Sequence, residues 1–205
     1  MLPVLPMIDV REDLARATAP AHLALHDHRW IGQLAAPGLS REVYRGILTA
    51  YRIVHEEVED HRNATGLFEP LSLAPAVAAL RADLDVLGPF PHPIPPPRDT
   101  ELSAAGLLGA LYVLHGAGFG ARSLRAGAAR NLTGAPLGYL TLGTSPALWR
   151  RLKTSLQDLA EDPPARARLE RGARDTFGRV GETVSHICEG ATTVDAGAVF
   201  PPSLH

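Results

Sequence analysis

Nine histidines in a chain of 205 residues with a single cysteine direct attention to imidazole chemistry. His22 and His26 lie four residues apart, so on a helix they share a face and could share a metal. A single helical His equally serves as a packed or surface residue, and both readings stay open for His22. His55, Glu56, Glu59 and His61 form a second cluster, whose spacing predicts charges around a solvated face. A third feature is glycine. Gly106, Gly109, Gly116, Gly118 and Gly120 fall within fifteen residues that carry no formal charge. Glycine costs about 1 kcal/mol in a helix interior, so such a density requires a reason. Gly106, Gly109, Val113, Gly116, Ala117, Gly120 and Ala121 line one side at helical spacing. Two reasons are open: close helix–helix packing, or a flat ligand lying directly on the backbone.

The elements that must hold these residues read as helices. One is expected from Val10 to Arg29, with Pro20 either kinking it or restarting it at a Thr18 cap. Ser40 caps a second from Arg41 to Asn63, and a third spans Pro75–Leu87 before Gly88 and Pro89. Six prolines between Pro89 and Pro97 predict an extended linker dividing the chain into two helical halves. The charge-poor helix follows, to about Ala129, then helices over Ser145–Leu159 and Pro164–Glu189. Residues 190–205 read as a loose tail. Alternating strand patterns and hairpin signals are missing, so the fold class is all-α, one domain with its core at about 10–189.

Composition removes several function classes. Net charge is −2, and Lys153 is the only lysine among twenty basic residues, so no basic footprint for nucleic acid is present. Cys188 alone builds neither a disulfide framework nor a Cys-rich metal site. Residues 102–121 have the length of a membrane span, but their glycines, Ser103, Tyr112 and His115 suit a buried helix better. With no secretory signal at the N-terminus, a cytoplasmic location is the expectation.

Four segments then resemble one family in order. Leu14 to His22 is similar to the proximal helix of the haem oxygenases, in which a Leu, a Thr four residues on and a ligating His four further recur. Tyr112 to Ala121 resembles the distal helix of the bacterial members, particularly those that supply biliverdin to bacteriophytochromes. Leu80 to Gly88 resembles a signature of their third helix, and Trp149, after the Tyr139–Gly143 stretch, falls where an aromatic recurs. The resemblance implies a single-domain helical bundle that cleaves haem, using O2 and an external donor such as ferredoxin or a reductase, to biliverdin, CO and iron. It implies His22 as the iron ligand, Gly116 and Gly120 as the distal backbone that steers O2, and Tyr112 and Ala117 against the ring.

There are departures from the pattern. Ala117 stands where animal members carry a carboxylate, and His115 where the bacterial group tends to have Glu. His115 either delivers protons, with Arg122 as another candidate, or only packs. Ala15 and Ala19 replace lysines that meet the propionates elsewhere, which leaves Arg11, Arg16, Arg150, Arg151 and Lys153. A non-catalytic haem- or tetrapyrrole-binding protein is the alternative. A di-iron oxidase would need a carboxylate and histidine set, and a thiaminase-like enzyme a better-placed cysteine than Cys188.

Overall fold

The computed structural model describes residues 10–90, 94–96, 101–159 and 162–195. Seven α-helices appear among them: α1 (Val10–His26), α2 (Arg41–Thr65), α3 (Ala74–Leu87), α4 (Ala104–Asn131), α5 (Gly138–Leu142), α6 (Pro146–Leu159) and α7 (Pro163–Asp195). Two 3-10 turns, Ile31–Leu34 and Glu69–Leu71, complete the described elements, which contain no strand. The all-α expectation holds.

Local chemistry sets the boundaries. The Ser40 hydroxyl accepts from the Val43 amide at 3.1 Å and begins α2, and Ser103 does the same for Gly106 at 3.2 Å on α4. Pro20 does not restart α1. The helix runs through it, and Thr18 is no cap: its hydroxyl donates back to the Leu14 carbonyl at 2.8 Å. Leu14 is seated in the core, which orients the face on which His22 follows two turns later. Helix α7 continues to Asp195, past the expected limit at Glu189. The expected tail otherwise lies outside the described residues, as do residues 1–9.

The proline-rich segment does not separate two halves. Helices from both sides of it interleave around one hydrophobic cluster, with α7 packed on α1, α2 and α4. Helix α4 lies at the centre. By length and hydropathy Ala104–Ala121 could cross a membrane, but here Leu107, Leu108, Ala110 and Leu111 are sealed inside the bundle.

The glycines of α4 divide into two groups. A Cβ built at Gly109 would overlap the Leu169 carbonyl oxygen and approach the Ala173 amide nitrogen to 2.8 Å. On the facing helix, a Cβ at Gly172 would come within 2.6 Å of the Gly106 Cα. This half of α4 therefore meets α7 backbone to backbone. A Cβ at Gly116 or Gly120, by contrast, would have nothing within 4 Å. The packing reading holds at Gly109 and also at Gly118, whose Cβ would run into Thr144 and the Gly143 backbone, while Gly116 and Gly120 keep the room that the ligand reading requires.

The contrast is measurable by denaturant unfolding. Gly109→Ala should destabilise by about 1–3 kcal/mol through overpacking. Gly116→Ala should be neutral, or stabilise by up to about 1 kcal/mol through helix propensity.

Candidate functional site

A cavity of about 530 Å³ opens between the inner face of α1 and the second half of α4. Ala15, Thr18, Ala19, His22 and His26 form the α1 side. Tyr112, Val113, Gly116, Ala117 and Gly120 form the α4 side. The size suits a ligand of several fused or linked rings, and apolar walls with few polar groups are the usual lining of such a site. The small side chains at Ala15, Ala19, Gly116, Ala117 and Gly120 leave a slot bordered closely by backbone.

His22 presents its ring to this slot. The ring packs edge-on against His26, with centroids 4.6 Å apart, and against Phe177 at 5.6 Å. Partial burial, then the neighbouring His26, hold its pKa below the ordinary histidine value. A neutral imidazole is the form that ligates a metal. A metal chelated by several side chains is another matter: among the described residues no group of three or more His, Cys, Asp or Glu could hold one. The donor set thus fits an ion that brings most of its own ligands, as haem iron does. Gly116 and Gly120 fit a planar group on the other side, because any Cβ there would enter the open volume. Tyr112, Trp149 and Phe119 add an aromatic wall, with Tyr112 and Trp149 rings 5.8 Å apart and Phe119 and Trp149 at 4.8 Å.

The second histidine cluster corrects the sequence reading. The expected solvated face is largely an inner one. His55 is 2% exposed and Glu59 6%. Glu59 forms a two-pronged pair with Arg62, both bonds at 2.9 Å, and also accepts from Ser72 and the Leu73 amide. His61 bonds the Leu102 carbonyl at 2.9 Å, and Glu56 pairs with Arg52 and Arg81. The physical reason is that α2 packs against α3, α4 and α7 together, leaving little of its circumference to water. Glu59 and Arg62 can be buried because each finds a partner in the other.

His55 and Tyr139 are cavity-lining residues that spacing missed. Both line the cavity, with Tyr51 beside them. The five-residue helix α5 carries Tyr139, and the third-helix motif holds α5 in place. Buried Asp83 accepts from the Gly138 and Tyr139 amides, each at 2.9 Å. Tyr44 adds a bond from its hydroxyl to the Pro136 carbonyl at 2.9 Å. The motif around Asp83 could have signalled an anchoring carboxylate, but not what it anchors.

Other sequence candidates lie apart from the slot. His115 turns away from it and bonds the Leu71 carbonyl at 3.0 Å. Among the cations, Arg16 is exposed and paired with Asp13, while Arg150, Arg151 and Lys153 are exposed on α6, near the wall residue Trp149. Arg11 is close enough to Tyr112 to pull its hydroxyl pKa down, against the larger upward effect of burial. The Arg122 side chain lies outside those described. Cys188 is buried, with its thiol pushed up to about 12 by desolvation, which makes it a core residue rather than a nucleophile.

Two solved structures superpose on nearly the whole chain. The haem oxygenase of Leptospira interrogans gives a TM-score of 0.66 at 18% identity, covering 87% of this chain and all of that one. Haem oxygenase-1 of the cyanobacterium Synechocystis sp. PCC6803, in complex with haem, gives 0.65 at 12% identity, covering 94% of this chain and all of that one. The chain has the haem oxygenase fold. A protein named haem oxygenase from Xanthomonas campestris pv. campestris (strain 8004) is 36% identical over 105 residues. The match takes in 49% of this chain and spans 62% of the length of that relative. No family profile matches the chain. Within the haem oxygenase fold, the slot between α1 and α4 is the feature with ligand-binding character.

Burial of His55 has a consequence for stability. Desolvation, reinforced by His115 and opposed by the bond to Tyr51, lowers its pKa to about 4. The unfolded chain, with His55 near 6.5, then binds more protons than the folded one between pH 6.5 and 4. Stability is therefore fully present above the unfolded value and falls as pH drops through this window, by up to about 1.4 kcal/mol per pH unit from one such group. Unfolding midpoints at pH 7.5 and 5 should show the loss, and His55→Gln should flatten it.

Proposed function

We propose that the chain is a haem oxygenase, which binds haem as substrate and releases biliverdin, CO and iron. One observation carries the reading: an apolar slot with a neutral imidazole on one wall and bare glycine backbone on the other. Bound there, haem would supply the O2 chemistry, oxidising its own ring with electrons from an external donor. The chain's contribution is ligation, orientation and exclusion. His22 would hold the iron. Gly116 and Gly120 would let α4 run close over the ring, leaving limited room for O2 and so selecting the edge that is attacked. Tyr112, Trp149 and Ala117 would pack the macrocycle, with Phe119 beside the mouth.

The propionates require cations at the opening, and charge-assisted pairs are the strong ones. Arg11 acts on Tyr112, and Arg150 and Lys153 are exposed on the helix that carries Trp149. Arg16 is the weaker candidate because Asp13 already engages it. A ferredoxin or reductase as donor, a cytoplasmic site of action and a bacteriophytochrome as recipient of the bilin belong to the same proposal. The absence of an acidic side chain at Ala117 supports one competing reading, a haem-binding protein that does not turn over.

Haemin, ascorbate and O2, followed by absorption, test this. Wild type should bind haem one-to-one and convert it to biliverdin, whereas His22→Ala should bind more weakly and make none. Gly116→Leu should still bind haem, because His22 is untouched, yet lose biliverdin formation. Alanine at all four of Arg11, Arg16, Arg150 and Lys153 should weaken binding several-fold. A wild type that binds haem and returns only ferric haem under several donors would favour the binding protein.

A further inference from the structure

A second cavity, of about 230 Å³, lies behind Leu114 and Ala117 and is lined by Ser72, Pro75, His115, Thr144 and Leu148 among others. His55 and Tyr139 border both cavities. His55 Nδ1 is 2.7 Å from the Tyr51 carbonyl oxygen. A carbonyl only accepts, so Nδ1 carries the proton and Nε2 keeps its lone pair. That lone pair faces the Tyr139 hydroxyl at 3.3 Å, which donates to it. The rings meet edge-on with centroids 5.5 Å apart.

At Gly116, Ala117 and Gly120 the α4 wall of the larger cavity offers no side-chain proton. Gly116, Ala117 and Gly120 contribute only backbone and a methyl, and His115 is turned toward Leu71. Reduction of O2 to water consumes protons, so a cavity that hosts it needs a supply. Other polar groups on its lining are the hydroxyls of Tyr51 and Tyr112, the Trp149 indole N–H, the Thr18 hydroxyl, which is committed to the Leu14 carbonyl, and His22 and His26 on the α1 wall. Only His55 and Tyr139 reach both cavities while bonded to each other.

We propose that His55 and Tyr139 form a proton relay that passes protons from the second cavity into the slot facing His22. The proposal rests on the haem oxygenase reading and assigns the proton path within it. A proton from a hydronium ion in the second cavity adds to His55 Nε2, while Nδ1–H keeps its bond to the Tyr51 carbonyl. The Tyr139 hydroxyl turns its own proton toward water in the larger cavity as this happens, and Nε2–H donates to the Tyr139 oxygen. Tyr139 then gives its proton to that water while taking the Nε2 proton, and the imidazole returns to neutral. One proton enters, one leaves, and no electron moves. The groups facing His55 are Tyr51 on its own helix, Tyr139 on α5 and His115 on α4, and none is a carboxylate. The charged imidazole is therefore poorly stabilised and gives its proton up readily, as burial requires of it.

The test has two readouts. In the protein without haem, 15N NMR of the His55 ring should show the neutral Nδ1–H form at pH 6, and Tyr139→Phe should shift the Nε2 resonance. An Nε2–H form would overturn the relay. In the haemin-loaded protein, His55→Gln and Tyr139→Phe should keep haem affinity within about twofold. Biliverdin formation should slow about 10²–10³-fold in both His55→Gln and Tyr139→Phe, with a larger solvent deuterium effect than wild type. Turnover at the wild-type rate and isotope effect in both variants overturns the relay and leaves the proposed function standing. Where His55→Gln fails to fold, Tyr139→Phe decides, since it removes only the hydroxyl. Wild type that makes no biliverdin overturns the proposed function, and the relay with it.

Discussion

The backbones of α4 and α7 touch with no side chain between them, and the placement of the slot follows from that contact. Gly109 on one helix, and Gly172 on the other against the Gly106 backbone, permit an approach that a Cβ at either would block. Close apposition holds the first half of α4 rigidly in the middle of the bundle, among Leu107, Leu108 and Leu111. The second half continues in the same direction, where Gly118 rests on Gly143 and Thr144 and Gly127 on Leu34 and Ala35, while Gly116 and Gly120 face open space. The slot is the space between those two glycines and α1. A helix anchored by one set of glycines thus presents a second set to open volume, and the entropic cost of glycine is offset twice, once in packing and once in room for a ligand.

Polar groups around the slot are arranged by capping and pairing rather than by the slot itself. Asp83 holds the start of α5, Tyr44 holds the loop before it, and together they bring Tyr139 to the wall. Glu59 ties α2 to the entry of α3 through Ser72 and Leu73. Each carboxylate is buried with its acceptor positions filled, which is how charge survives inside a helical bundle. His55 is kept neutral by the same surroundings.

Much of the fold was legible because its signals are local. The Ser40 and Ser103 caps, the stop at Gly88 and the 3.6-residue periodicity of α2 and α3 each concern residues within a few positions of one another. His22 stood out through the resemblance of Leu14–His22 to a haem oxygenase proximal helix, where spacing alone left it open, and it lies on the wall of the slot. What depends on three dimensions was not. The inward direction of His55 and Glu59 follows from how many neighbours surround α2, which its own pattern of charges obscures. Helix α5 is five residues long, too short for periodicity to reveal, and Tyr139 is placed by a carboxylate 56 positions earlier. The proline-rich segment suggested two halves because a sequence does not display that α7 returns to pack on α1 and α2.

The account depends on the slot between α1 and the bare half of α4 receiving a planar ligand through His22. A crystal structure of the haemin complex tests that most directly. The account predicts a ring lying between His22 and the Gly116–Gly120 backbone, with His22 as the one protein ligand to the iron and α4 still locked to α7 through Gly106, Gly109 and Gly172. Haem bound through His26 or His28, or seated outside this slot with Gly116 and Gly120 left uncovered, would contradict it.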